Sequence, residues 1–77
     1  MKTILGIDPG TNILGFGVIA TEGSKAFYVE MGVIDMRKES DHYAKLIRIF
    51  NEIGEISDKY SPDEMALELP FYGKNAQ

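Results

Sequence analysis

The sequence predicts a small α/β domain in which a three-stranded antiparallel meander is followed by one crossover helix and a parallel fourth strand. Three observations carry this reading. Apolar runs rich in Ile, Val, Phe and Tyr occupy residues 2–8, 13–21 and 25–35, separated by turns at residues 9–12 and at Glu22-Gly23-Ser24, which is the pattern of short strands joined by hairpins. Apolar residues then recur at helical spacing from about Asp41 to Lys59. A final short run, Glu64 to Leu69, follows the break Ser61-Pro62-Asp63. A strand, a helix and a second strand in one sheet are expected to be parallel, with a right-handed crossover.

The first strand, Thr3-Ile4-Leu5-Gly6-Ile7, is closed by Asp8 and stopped by Pro9-Gly10, residues that favour a turn. In the second, Gly15 and Gly17 alternate with Leu14, Phe16 and Val18, so one face carries little side chain and invites close approach of another group. Ser40 is read as the helix N-cap, with Asp41 complementing the positive end of the helix dipole and Lys59 the negative end. Tyr43, Leu46, Ile47, Phe50, Ile53 and Ile56 form one apolar stripe, read as core, and Gly54 is a mild cost. The helix carries the chain across the hairpin, so the fourth strand is expected beside the first.

Composition bounds the rest. The chain has 77 residues, 44% of them hydrophobic, enough for one small core near the lower limit for independent folding. Cysteine is absent, which excludes disulfides and thiolate zinc sites. The net charge of −4 runs against the basic excess usual in nucleic-acid binders, although the placement of charge matters more than its total. Arg37-Lys38 is the only adjacent basic pair. The first apolar run is too short for a signal peptide or a membrane span, so the expected location is the cytoplasm.

The chemistry centres on two carboxylates. Asp8 closes the first strand and Glu68 follows Met65-Ala66-Leu67. If those strands lie side by side, both acids sit at one carboxyl edge, where ligand sites of open α/β sheets gather. Each alone has an ordinary explanation: Asp before Pro-Gly opens a turn, and a strand Glu can face solvent. Together they suit a divalent metal, which takes hard oxygen ligands. His42 reads as a solvated first-turn residue, and Phe71 and Tyr72 read on composition as core or edge residues. No serine, histidine and acid arrangement offers a nucleophile.

Two separated motifs add a family resemblance. Ile4-Leu5-Gly6-Ile7-Asp8-Pro9-Gly10-Thr11, continuing through Leu14-Gly15-Phe16-Gly17-Val18-Ile19, resembles the start of the bacterial RuvC Holliday-junction resolvases. Ala66-Leu67-Glu68, with Phe71 and Gly73-Lys74-Asn75-Ala76, resembles that family's second signature. The resemblance implies a ribonuclease H-like fold, with residues 1–77 forming the N-terminal part of a single nuclease domain. It also implies a magnesium-dependent endonuclease, with manganese as a possible substitute, that cuts four-way DNA junctions as a homodimer and works with branch-migration helicase partners. Asp8 and Glu68 fall on catalytic, metal-binding positions of the family, and Phe71, Lys74 and Asn75 on its DNA-facing segment; Tyr72 takes no assigned role.

Further acidic ligands in that family come from a later helix. No Asp or Glu follows Glu68 in this chain, so the sequence is read as truncated and the 77-residue piece as inactive by itself. Two other readings stand beside this one. Sugar kinases and actin-like ATPases also open with a Gly-x-Asp-x-Gly-Thr hairpin that contacts phosphate, but they leave residues 68–76 unaccounted for. The third reading is a non-catalytic ribonuclease H-like module.

Overall fold

The sheet is built around Lys2–Asp8 (β1), which pairs on one side with Ile13–Glu22 (β2) and on the other with Glu64–Leu67 (β4). Lys25–Asp35 (β3) pairs with the outer side of β2, and the helix His42–Tyr60 (α1) connects β3 to β4. The structure, a computed structural model, describes residues 1–68. Strand order is β3-β2-β1-β4, with β1–β2 and β2–β3 antiparallel and β1–β4 parallel. This is the expected meander and returning strand. No helix among the described residues is long and apolar enough to cross a membrane.

Local chemistry explains each junction. The β2–β3 hairpin turns on Gly23 and Ser24; Gly23 has φ +63° while Ser24 stays out of the left-handed region, the glycine-first pattern of a type II′ turn. β2 runs one residue further than expected, to Glu22. A register shift lies between Val18 and Ile19, opposite Glu30 and Tyr28, and such a bulge adds twist to the sheet.

The helix begins one residue later than the sequence suggested. Asp41 is the N-cap in place of Ser40: its carboxylate accepts from the Ala44 N–H at 2.8 Å. Asp carries the negative charge that the helix N-terminus favours, which serine lacks. At the other end Ser61 adopts the left-handed conformation (φ 45°), donates its N–H to Ser57 O at 2.7 Å, and is followed by Pro62, a common way to stop a helix. Asp41→Ala is expected to cost about 1 kcal/mol, lowering the melting temperature by roughly 4–8 °C in a domain of this size. A circular-dichroism melt compared with Ser40→Ala checks it, because only the first substitution removes the cap.

The core lies between α1 and one face of the sheet. Leu5, Ile7, Leu14, Val18, Ile34 and Met36 are buried, and Phe16, Ile49, Ile53, Ile56 and Tyr60 pack against them. The predicted helical stripe is therefore only partly core. Ile53 and Ile56 face the sheet, but Tyr43, Leu46, Ile47 and Phe50 are exposed, Phe50 by 80%. At roughly 100° per residue, Ile49, Ile53, Ile56 and Tyr60 form one row with Leu46 at its edge, while Phe50, Tyr43 and Ile47 are rotated progressively away; Leu46 and Phe50 line an apolar groove with Ile7, Leu14 and Leu67. A flat sheet covers one flank of a helix, so the remainder of a wide stripe stays outside.

Polar contacts fasten the helix. Arg48 donates to the Asp35 carbonyl at 2.9 Å and to Glu39 at 3.0 Å, and pairs with Glu52 one turn along. Asp35 also takes the Arg37 guanidinium in a two-point contact and the Arg37 amide, which together hold its carboxyl well below the usual carboxylate range. Tyr60 donates to Glu30, joining the end of α1 to β3.

Candidate functional site

The site begins with the register of two parallel strands. Ile4 pairs with Glu64, and the register runs on to Ile7 with Leu67. Glu68 lies just past β4, yet its N–H still donates to Ile7 O at 3.0 Å. One step further along this register sets Glu68 beside Asp8. Neighbouring strands are about 4.8 Å apart, so the two carboxylates leave the same edge of the sheet as neighbours.

Both acids line one trough of about 770 Å³ on the sheet face opposite the core. Gly6, Gly15, Gly17 and Ala66 form its floor, and Tyr28, Met31 and Val33 rise along its far side. Asp8 is opposite Gly15 in the β1–β2 ladder, and Gly6 is opposite Gly17. The absence of side chains at these glycines is what hollows the surface next to the carboxylates. Among the described residues, neither Asp8 nor Glu68 has an ion-pair partner, and no group of three or more potential metal ligands forms. The exposed acidic pair is a partial oxygen donor set.

The opposite end of β4 sets this placement. Asp63 donates its N–H to Thr3 O at 2.8 Å and accepts the Thr3 N–H on its carboxylate at 2.8 Å. Lys2 and Glu64 pair at 2.7 Å beside this bracket. A slip of one residue would reverse every side chain of β4 and send Glu68 to the core face. The role of Asp63 escaped the sequence reading, because an Asp after Pro62 looks like any turn residue until Thr3 is beside it.

The turn after Asp8 is tightly closed. A Cβ at Gly10 would stand 2.4 Å from the Ile13 carbonyl oxygen, so this position accepts no side chain without moving backbone. The Met36 N–H donates to Asn12 O at 2.7 Å, tying the turn to the end of β3. His42 is exposed and stacks edge-on with Tyr43, in keeping with a solvated first-turn residue. The candidate nucleic-acid residues Phe71, Lys74 and Asn75 lie outside the described residues.

The sequence matches the model of the family described as crossover junction endodeoxyribonuclease RuvC over residues 4–77. The chain belongs to the RuvC family. It is 50% identical over 76 residues to the crossover junction endodeoxyribonuclease RuvC of Christiangramia forsetii, covering 99% of this chain and 40% of that protein. The corresponding protein of Cytophaga hutchinsonii is 47% identical over 76 residues, with 99% and 38% covered. This chain thus spans well under half the length of these RuvC relatives.

Solved RuvC structures give the same picture. The Thermus thermophilus RuvC structure aligns with a TM-score of 0.82 at 28% identity, covering 97% of this chain and 47% of the other. The T. thermophilus RuvC in complex with Holliday junction substrate aligns with a TM-score of 0.79 at 32% identity, covering 95% and 48%. The mixed sheet with β4 parallel to β1 is thus a ribonuclease H-like arrangement, as the two RuvC signatures implied. The RuvC match extends across residues 68–76, the segment that the phosphate-binding kinase reading leaves unaccounted for.

Proposed function

We propose that this chain is the N-terminal part of a single nuclease domain in a metal-dependent endonuclease that resolves four-way DNA junctions by phosphodiester hydrolysis. The observation that carries the proposal is the in-register meeting of Asp8 and Glu68 at one sheet edge, in a chain of the RuvC family. A relative of similar fold is described in complex with Holliday junction substrate, which supports four-way junction DNA as the partner. Homodimer formation, helicase partners and a cytoplasmic location belong to the same proposal.

The donor set suits magnesium or manganese. Both groups are hard oxygen ligands, adjacent and solvent-facing, and magnesium commonly uses one or two carboxylates while retaining waters. Asp8 and Glu68 would hold the ion, and their exposure leaves room for phosphate oxygens beside it. A bound divalent ion supplies Lewis acidity toward the phosphoryl group and a water of lowered pKa. The carboxylates orient this chemistry toward the trough, whose glycine floor lets a bulky group come close to the sheet. Phe71 would stack on or part bases near the cleavage point, and Lys74 and Asn75 would contact DNA.

Two carboxylates are too few for a paired-ion phosphodiester site, whose ions lie roughly 3.5–4 Å apart. The 77-residue chain by itself is therefore proposed to be inactive and to bind magnesium weakly. The test is cleavage of a synthetic four-way junction by the full-length protein that carries this sequence, with and without magnesium, against a linear duplex and against the 77-residue chain. Magnesium-dependent, junction-selective cutting by the full-length protein alone is expected. Failure of the full-length protein to cut the junction would overturn the proposal, and cutting by the short chain would overturn its inactivity.

A further inference from the structure

We propose that Lys45 is a positioning residue for the Asp8 carboxylate, acting through the turn between β1 and β2; this rests on the endonuclease reading above. Asp8 is the last residue of β1, and the chain leaves it through Pro9-Gly10-Thr11-Asn12 before β2 begins at Ile13. The conformation of that turn sets where the Asp8 backbone points as it leaves the sheet.

Lys45 lies in the first turn of α1 and is partly buried. Its ammonium donates to Asn12 Oδ1 at 2.9 Å and reaches the Thr11 carbonyl oxygen at 3.5 Å. Both acceptors are neutral, so this is no surface ion pair between charged side chains. A charge-assisted hydrogen bond of this kind is shorter and stronger than a neutral one. The Met36 amide grips the backbone oxygen of the same Asn12 at 2.7 Å. The turn is thus held at Asn12 by its side chain, from α1, and by its backbone, from the end of β3.

The turn folds closely back on itself at Gly10. Ile13 O lies only 2.4 Å from the position a Cβ would take at Gly10, so the four-residue turn brings its two ends close together and Asn12 is only four residues from Asp8. Movement there passes along Thr11, Gly10 and Pro9 to Asp8. The β1–β2 ladder fixes the Asp8 backbone on the strand side, and Lys45 holds the other side. Catalytic geometry is sensitive to displacements of about 1 Å, which can cost about a hundredfold in rate.

The test uses the full-length protein with Lys45→Met, which keeps the aliphatic stem and removes the donors, and Lys45→Arg, which keeps donors and charge. Amide exchange at Met36 is expected to rise about tenfold in Lys45→Met, the scale of one lost hydrogen bond, while Val18 in the core is unchanged. Single-turnover cleavage of a four-way junction is expected to slow by about tenfold with junction affinity unchanged, and Lys45→Arg is expected to restore both readouts. Unchanged exchange at Met36, unchanged cleavage, or a loss confined to junction affinity would each overturn the proposal, the last by making Lys45 a phosphate contact. Absence of cutting by the unsubstituted protein is a separate result: it overturns the endonuclease reading, and the positioning role falls with it.

Discussion

Asp8→Asn in the full-length protein is expected to lower junction cleavage on the order of 10²–10³-fold, the scale lost when one electrostatic stabiliser of a transition state is removed. The substitution keeps the shape and removes the charge. Asp8 is exposed and, among the described residues, makes no side-chain hydrogen bond or ion pair, so its carboxylate has no structural duty to lose. Folding stability should be unchanged within about 0.5 kcal/mol, as for other surface substitutions away from special contacts. Glu68→Gln should behave alike, because it occupies the neighbouring place one strand over. Single-turnover cleavage at saturating magnesium, paired with a thermal melt, checks both variants. Cleavage within tenfold of the unsubstituted protein in both would remove the acidic pair from the chemistry.

The second large effect concerns stability. Leu5→Ala is expected to destabilise by about 2–5 kcal/mol. Leu5 is 0% exposed and sits on β1, one of the two inner strands of the sheet, between Val18 of β2 and Met65 of β4 in the ladder. Its side chain enters the layer filled by Val18, Ile34 and Met36, and truncation there leaves a cavity to the extent that these neighbours do not relax into it. A domain of this length has a total stability on the order of 5–10 kcal/mol, so the loss is a large fraction of the whole. Denaturant titration of Leu5→Ala and Leu5→Met separates lost volume from altered shape. Leu5→Met preserves volume and should cost less than about 1.5 kcal/mol.

The two effects act on opposite faces of one strand. Leu5 and Ile7 point into the core, while Gly6 and Asp8 belong to the trough face. Period-two alternation puts the core residues and the candidate site residue one position apart. That separation leaves Asp8 solvent-facing while its own strand is anchored in the centre of the sheet.

Much of this was legible in the sequence because the signals are local. Strand runs, the turns at Pro9-Gly10 and Gly23-Ser24, and the helix followed by Ser61-Pro62 depend on residues a few positions apart. The end of β1 at Asp8 followed from the same signals, whereas β4, expected to run to Leu69, ends at Leu67 with Glu68 just past it. The sequence by itself therefore determined which elements form, in what order, and which two acids stand at strand ends. Only the tertiary structure decided what depends on distant partners: the register pinned by Asp63 on Thr3, the hold of Lys45 on Asn12, and which part of the helical stripe stays exposed; the cap at Asp41 is local, and there the sequence offered two adjacent capping residues, Ser40 and Asp41. Periodicity tells which residues share a face, but it carries no information on how wide a neighbouring surface is or where a strand stops sliding. Those are set by contacts between residues 33 and 60 positions apart, where hydrogen bonds and packing choose one register among several that the local pattern permits.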